Sequence, residues 1–241
     1  MSGHGKRYEA ALAQVDREKL YTPTEAINLV KATASAKFAE SVELHIRTGL
    51  NVRHADEQLR GTLQLPNGLG KEVKVVVFAA GDQAKAAEAA GADIVGTDDL
   101  KKKIEEGFTD FDVVIAAPDQ MAIVGQLGRV LGPQGKMPNP KVGTVTPNIG
   151  PAVEGAKSGK IEYRTDKNAI IHLVIGKADF EAQALLENYA AVIEEIIKAK
   201  PAVAKGKYLH SVVVTTTMGP GIKVDPSVTR DIAEAETAQA A

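Results

Sequence analysis

The chain is organised around residues 211–221, which read S-V-V-V-T-T-T-M-G-P-G. Three valines favour a strand on a buried pleated surface. Three threonines then keep the β-branched stiffness and add hydroxyls that donate and accept hydrogen bonds. The Met-Gly-Pro-Gly end stops the strand, because glycine reaches backbone angles that other residues avoid and proline has no N–H to donate. This segment, here named the ledge, predicts rigid hydroxyls and approachable backbone suited to a sugar-phosphate ligand. An ordinary strand and tight turn is the alternative interpretation.

The segments near both chain ends predict a sheet with one open face and helices that cover the other. Residues Ser41–Thr48 alternate polar with apolar side chains, which is typical of such a strand, and the polar side is mixed in charge. Thr22-Pro23-Thr24-Glu25 has the pattern of a helix N-terminus with a capping box. The other elements predicted here are a helix over Lys6–Val15, a hairpin of Lys160–Arg164 and Ala169–Ile175 around residues 165–168, and a long amphipathic helix over Phe180–Ala199.

A different pattern occupies the middle of the chain, where short apolar runs alternate with helical segments. Val73–Ala80 is almost continuously apolar, as in a strand covered on both faces. Strands and helices that alternate in this way build a parallel three-layer sheet. Residues 127–141 are so rich in glycine and proline that we expect a long loop without helix or strand. The remaining predicted elements are helices over Asp82–Ala90, Asp98–Glu106 and Pro151–Lys157, a helix that starts at Asp119, and strands over Asp93–Val95 and Asp112–Ala117.

These patterns predict an α+β fold with an inserted α/β domain. The α+β domain, an antiparallel sheet layered with helices, is discontinuous over residues 1–66 and 160–241, and the α/β domain covers residues 67–159. Two separate terminal domains are the alternative, but each flank offers too few strands for independent stability. Residues 65–70 and 158–159 are predicted linkers, and residues 225–241 a frayed Ala-rich tail. The hinge positions expected in these linkers are Gly68, Gly70, Ser158 and Gly159.

Composition and charge narrow the classes of function. The 241 residues are 44% hydrophobic and 25% charged, as in a globular protein. The lack of cysteine excludes disulfides and thiolate chemistry, so we expect a cytoplasmic protein. No apolar run approaches the roughly 20 residues of a membrane helix, so we expect that it binds no membrane. A net charge of −2 argues against an indiscriminate nucleic-acid binder. Two segments nevertheless carry only basic charges, Gln120–Val153 and Ile196–Val224, which indicates two anion-facing surfaces.

Motifs of catalysis and nucleotide binding are not found. Val130 and Met137 break the phosphate-loop pattern, and the first strand of the insert lacks the dinucleotide glycine spacing. The five histidines show no metal spacing, and an ordinary hydrogen-bonded role is favoured for His45 and His172. We therefore expect no enzyme, cofactor or metal. A nucleotide- or sugar-phosphate-dependent enzyme in the insert is the alternative, on fold analogy alone.

An RNA-binding surface fits the residues better. Aromatic residues make up only 4% of the chain and tryptophan is absent, so base stacking on aromatic platforms is disfavoured. Recognition by shape, phosphate and 2′-hydroxyl contacts remains, and it suits the hydroxyls and glycine-flanked backbone of the ledge.

Three motifs occur in order along the chain: Lys37-Phe38 with Ser41-Val42-Glu43, the glycine-proline run of residues 131–141, and T-T-T-M-G-P at residues 215–220. Together they resemble the bacterial family of large-subunit ribosomal protein L-one, over residues 6–224. Asn67 departs from the family, in which many members have histidine there. The resemblance implies an RNA-binding domain with a hinged, Rossmann-like insert.

The resemblance also implies a function. Such a protein would be a structural constituent of the 50S ribosomal subunit that binds the large-subunit rRNA of the mobile stalk. It would lie beside the exit-site tRNA and assist its release, and it would repress translation of its own messenger RNA.

The resemblance assigns roles to individual residues. Thr217, Met218 and Gly219 would meet the RNA sugar-phosphate backbone directly. Glu43 is unexpected in an RNA site, but a carboxylate accepts a hydrogen bond from a 2′-hydroxyl. Further RNA-binding residues would be Lys37, Phe38, Ser41 and Glu43, then Arg164, Asp166 and Lys167 of the predicted hairpin, and Ser211, Thr215, Thr216 and Pro220 of the ledge, with secondary contacts from Arg129, Lys136 and Lys141 of the insert.

Overall fold

The structure, a computed structural model, describes residues 4–228. These residues divide into two compact units, 4–70 with 163–228 and 71–162. The helices in chain order are α1 (Lys6–Leu12), α2 (Pro23–Thr33), α3 (Asp82–Ala89), α4 (Asp98–Glu105), α5 (Met121–Gln126), α6 (Gly128–Leu131), α7 (Ile149–Lys157) and α8 (Ala182–Lys198). The strands are β1 (Ser41–Thr48), β2 (Arg60–Gln64), β3 (Val75–Phe78), β4 (Ile94–Gly96), β5 (Val113–Ala116), β6 (Lys160–Arg164), β7 (Ile170–Lys177), β8 (Leu209–Thr216) and β9 (Ile222–Val224).

The first unit is built on a four-stranded antiparallel sheet in the order β7-β1-β8-β9. Val42, Leu44 and Ile46 of β1 are fully buried on one side of this sheet, where α2 and α8 pack. The odd-numbered side chains of β1 lie on the other side and stay partly exposed. The predicted antiparallel sheet with one open face is confirmed, and the bounds of β1 are those predicted from its alternation.

Helix α2 begins as its sequence predicts. The Thr22 hydroxyl accepts a hydrogen bond from Glu25 N–H at 3.3 Å, and the Glu25 carboxylate accepts one from Thr22 N–H at 3.1 Å. These two bonds satisfy N–H groups that have no partner within the helix. The helix then buries Ala26, Ile27 and Val30.

The predicted hairpin of residues 160–175 is wrong. Strand β6 pairs with β2 in a two-stranded sheet, whereas β7 pairs with β1. An isolated bridge between Thr165 and Ile171 joins the two segments. The chain therefore turns at residues 165–168 but passes from one sheet to another. Strands β2 and β9 were not predicted, because β2 is short and only partly apolar and β9 has three residues.

The second unit has a parallel three-stranded sheet in the order β4-β3-β5. Strand β3 is buried on both faces, as its apolar sequence predicts. Val76 and Phe78 pack into one core with residues of α4, α5 and α6, and Val75 and Val77 pack into another with residues of α3 and α7. The sheet is the middle layer of three, and the predicted parallel sheet is confirmed.

Residues 127–141 are not the continuous loop that their glycines and prolines suggest. They contain α6 and the start of a 3₁₀ turn over Pro140–Val142. Leu127 and Leu131 are buried in the core of the second unit, so their apolar burial stabilises a short helix despite the flanking glycines. Two smaller differences concern helix bounds: α1 ends at Leu12, and a 3₁₀ turn over Pro118–Gln120 precedes α5.

Residues 67–70, predicted to begin the insert, pack on the first unit. Asn67 N–H donates to the Asn188 side-chain oxygen at 3.0 Å, and the Asn188 amide donates to the Gly68 carbonyl at 3.0 Å. Gly70 has a φ of +66°, and a Cβ there would lie 2.4 Å from the Phe180 ring. The units accordingly divide after Gly70 and before Tyr163, rather than after Pro66 and before Lys160.

The beginning of the predicted frayed tail is held in place, because Asp225 N–H donates to the Tyr21 carbonyl at 3.0 Å. The rest of that prediction, from residue 229 onward, lies outside the described residues. Among the helices of residues 4–228, none combines the length and hydropathy of a membrane span.

Candidate nucleic-acid interface

The open face of the antiparallel sheet brings together polar side chains from strands that are far apart in sequence. Residues at alternate positions of β1 stand between partners on β7 and β8, and these rows form the middle of the face. The rows are Glu43 between Val174 and Thr215, His45 between His172 and Val213, and Arg47 between Ile170 and Ser211. Lys223 of β9 extends the second row beyond Val213.

The ledge ends in a turn that is fastened to the start of β1. Thr217 N–H donates to the Ser41 carbonyl at 3.1 Å. Ser41 N–H in turn donates to the Thr217 hydroxyl at 3.0 Å. Thr217 and Met218 are exposed, with 49% of Met218 accessible. The structure thus brings the predicted residues Ser41, Thr217 and Met218 to one corner of the open face.

The hydroxyls of Thr215 and Thr216 do not form the exposed surface that the sequence suggests. The Thr215 hydroxyl lies 3.1 to 3.3 Å from the carbonyls of Thr216, Gly219 and Pro220 and donates its proton within the turn. Thr216 is only 2% exposed, and Pro220 is buried too. A Cβ on Gly219 would lie 2.3 Å from the Thr216 hydroxyl oxygen, so the close approach requires glycine there. These residues shape the turn, and Thr217, Met218 and part of Gly219 form its surface.

Sequence reasoning missed Glu40, whose carboxylate holds two parts of the interface. Glu40 is 2% exposed. One carboxylate oxygen accepts hydrogen bonds from Ser35 N–H at 3.0 Å and Ala36 N–H at 2.7 Å, and the other accepts one from Met218 N–H at 2.9 Å. Burial by itself would raise the pKa of Glu40, but the hydrogen bonds from Met218, Ala36 and Ser35 hold it below its ordinary value.

The burial of Glu40 can be predicted from its position in the sequence. Glu40 continues the even-numbered series of β1, whose side chains point into the core. A carboxylate at such a position requires hydrogen-bond donors, because an unpaired buried charge is strongly unfavourable.

The segment that Glu40 fastens next to Ala36 presents Lys37 and Phe38 to solvent. Phe38 is 56% exposed and, with Met218, is among the large apolar side chains at the surface. One buried carboxylate therefore fastens the backbone of Met218 and the backbone of Ala36, two residues before Phe38, although these segments are far apart in sequence. Exposed apolar side chains such as Phe38 and Met218 can pack on ribose rings without reading bases.

The turn before β7 also has an acidic anchor. The Asp166 carboxylate accepts hydrogen bonds from Asn168 N–H at 2.8 Å and Ile170 N–H at 2.7 Å. Burial acts to raise the pKa of Asp166, but these bonds lower it overall. The bonds leave Arg164 and Lys167 exposed on either side. Asp166 is thus a residue that shapes the turn, and the two basic residues are the ones available to an anion.

The predicted secondary contacts lie in the second unit. Arg129 and Lys141 are exposed. Lys136 is partly engaged, since its ammonium donates to the Thr109 carbonyl at 3.1 Å and lies 4.6 Å from the centre of the Phe111 ring. Of the hinge positions, Gly68, Gly70 and Gly159 have positive φ values, whereas the Ser158 hydroxyl donates to the Gly155 carbonyl at the end of α7.

The N-terminus of the first helix in the second unit is poorly suited to binding a nucleotide phosphate. Helix α3 follows β3 through Gly81 and opens with Asp82, whose carboxylate would repel a phosphate at that helix end. Within residues 4–228, no cluster of three or more histidine or acidic side chains could hold a metal ion.

Known proteins match this chain over the residues that form the interface. The sequence model of the Ribosomal protein L1p/L10e family matches residues 30–220, which include the Lys37-Phe38 segment and the ledge up to Pro220. The large ribosomal subunit protein uL1 of Mycobacteroides abscessus is 57% identical over 235 residues, covering 98% of this chain and 100% of the relative. The protein of the same name from Thermobifida fusca is 53% identical over 230 residues, covering 95% of this chain and 98% of that protein.

Proposed function

Because the chain belongs to the Ribosomal protein L1p/L10e family, we propose that it is a structural constituent of the large ribosomal subunit that binds large-subunit rRNA. The observation that carries the proposal is the fastened corner of the open face, where Glu40 fixes both Met218 and the Lys37-Phe38 segment. A surface that is already ordered loses little conformational entropy on binding. It therefore suits recognition of a folded RNA by shape.

The proposed contacts follow from what each group offers. The turn at Thr217–Gly219 meets the sugar-phosphate backbone with the exposed residues Thr217 and Met218, and Phe38 and Met218 pack on ribose. Arg164 and Lys167 attract phosphates from the turn before β7, which lies at the opposite end of β1 from Thr217. Glu43 stands beside Thr215 on the face and accepts a hydrogen bond from a 2′-hydroxyl.

The proposal includes specific roles in the ribosome and in control of translation. The protein would form the mobile stalk beside the exit-site tRNA and assist release of that tRNA, in the cytoplasm. The second unit would move about Gly68, Gly70, Ser158 and Gly159 and add secondary contacts through its exposed basic residues. Repression of the protein's own messenger requires only that the messenger presents a similar RNA shape to the same face.

Chemical footprinting of ribosomal RNA with the purified full-length chain tests the proposal. We expect protection of one continuous region of the large-subunit rRNA and crosslinks from it to residues near Thr217. No protection, or crosslinks confined to residues 71–162, would contradict the proposed site.

A matched pair of variants makes the test quantitative. Met218→Ala should weaken rRNA binding about fivefold, because about 1 kcal/mol of apolar contact is lost at roughly 25 cal/mol per Å². Val203→Ala is the control, since Val203 is a comparably exposed apolar side chain, at 54%, in the loop before β8 and therefore at the opposite end of that strand from Met218. Equal affinities of the two variants would remove Met218 from the interface.

A further inference from the structure

Two histidines face each other in the middle of the open sheet. His45 of β1 and His172 of β7 are directly opposite in register. Their Nδ1 atoms are 2.9 Å apart, and the rings meet edge to face with centroids 5.0 Å apart. At this distance one Nδ1 carries a hydrogen and donates it to the other. The two inner nitrogens therefore share a single proton.

Each outer nitrogen of the pair faces a carboxylate. His45 Nε2 is 3.7 Å from the Glu43 carboxylate, and His172 Nε2 is 3.8 Å from the Asp166 carboxylate. The four side chains form a row of carboxylate, imidazole, imidazole and carboxylate, here named the proton row. One added proton is accepted at an outer nitrogen without breaking the inner hydrogen bond. A second would place two N–H groups against each other and force the rings apart.

The charges that face the proton row are few. Arg47 lies next along β1 on the same face, and Lys223 lies beyond Val213 in the row of His45. Helices α2 and α8 cover the opposite side of the sheet. Burial lowers the pKa of His45, as does the neighbouring His172, while Glu43 acts in the opposite direction. The lowered pKa of His45 favours its neutral form in the free protein. A negative charge that approaches the pair acts against this effect and favours uptake of a proton.

We propose that the proton row takes up one proton when RNA binds to the open face, so that RNA affinity rises as the pH falls. The inference rests on the proposed RNA binding and adds the groups that regulate it. RNA phosphates favour the imidazolium form, and linkage requires that protonation strengthens RNA binding by the same factor. Each pKa unit by which RNA raises the affinity of the row for its proton gives about a tenfold gain in RNA affinity. The gain begins below the pKa in the complex and is complete below the pKa of the free protein.

The experiment measures the affinity of the full-length chain for a transcribed fragment of large-subunit rRNA between about pH 8 and about pH 6, at constant ionic strength, across the ordinary titration range of histidine. We expect the affinity of the wild type to rise by about three- to tenfold. The double variant His45→Gln/His172→Gln should lose this dependence. His210→Gln, which removes an exposed histidine of β8 outside the row, should keep it.

Calorimetry of the wild type in buffers of different ionisation enthalpy provides a second readout that needs no variant. Proton uptake is the slope of the logarithm of RNA affinity against pH, so a three- to tenfold rise over two pH units means an average uptake of about 0.2–0.5 proton per RNA bound. RNA binding without proton uptake, or a double variant that keeps the full pH dependence, would overturn the proton row and leave the proposed RNA binding intact. A failure to bind rRNA at every pH would contradict the proposed function itself, and this inference with it.

Discussion

Replacing Glu40 with glutamine should destabilise the first unit and loosen the corner of the open face. The carboxylate accepts three backbone hydrogen bonds at 2.7 to 3.0 Å. Hydrogen bonds to a charged group are worth about 1.5–3 kcal/mol each and neutral ones about 1 kcal/mol. Glutamine keeps an oxygen for Ser35 and Ala36 but turns its NH₂ group towards Met218 N–H. The loss of one charged bond and the weakening of two others from charged to neutral strength together amount to about 2.5–7 kcal/mol.

Urea unfolding measures this loss. With a denaturant slope of about 2 kcal/mol per molar urea, the midpoint should fall by about 1–3.5 M at neutral pH. Glu194→Gln is the matched control, because Glu194 is an exposed glutamate of α8 and the change in charge is the same. Hydrogen exchange at Met218 N–H should accelerate in Glu40→Gln alone.

The contribution of Glu40 to the unfolding free energy should also depend on pH. The pKa of Glu40 is lower in the folded protein than its ordinary value. Its contribution to stability is therefore complete above that ordinary value and is lost as the pH falls through the lowered pKa. The stability of the wild type should approach that of Glu40→Gln in acid. A midpoint that moves no further than in Glu194→Gln, or a gap that does not narrow in acid, would refute the role assigned to the carboxylate.

Four other substitutions test separate features. Thr217→Val removes the acceptor of a backbone N–H and should cost about 0.5–1.5 kcal/mol of stability in addition to weakening rRNA binding, whereas Thr217→Ser should retain both in filter binding and urea unfolding. Lys136→Ala should lower the salt slope of rRNA binding by at most about one counterion, and a large loss of specificity would mean that the insert reads sequence. Gly70→Ala should cost more unfolding free energy than Gly68→Ala, because both have positive φ but only Gly70 would place its Cβ against a ring; equal losses would exclude the packing contribution. Thr22→Ala should lower the unfolding free energy by about 1 kcal/mol through loss of the helix cap, and an unchanged urea midpoint would contradict it.

The parts of the fold that sequence predicts well are those in which periodicity and local capping agree. Strand β1 has strict alternation, and its predicted bounds match the structure. Helix α2 carries its own capping box, and the unbroken apolar run of β3 indicates that this strand is buried on both faces. Each of these signals lies within one element.

The parts that sequence misses depend on partners distant in the chain. Strand β6 has the pattern of a hairpin arm, but its partner is β2, which lies before the insert. The Thr215 hydroxyl donates within the turn that comes after it, and a pattern of threonines does not show in which direction their hydroxyls point. Glu40 becomes part of the interface only because Met218 N–H approaches it from the far end of the chain.

The strand order of the first unit has a consequence for synthesis. Strand β1 is made early, yet both of its neighbours, β7 and β8, follow the whole of the second unit in the chain. An emerging chain therefore cannot complete this sheet until translation has passed Val224, whereas residues 71–162 already contain their own sheet and cores. The middle of the polypeptide can therefore fold before its beginning, and the open face of the antiparallel sheet is the last part to be assembled.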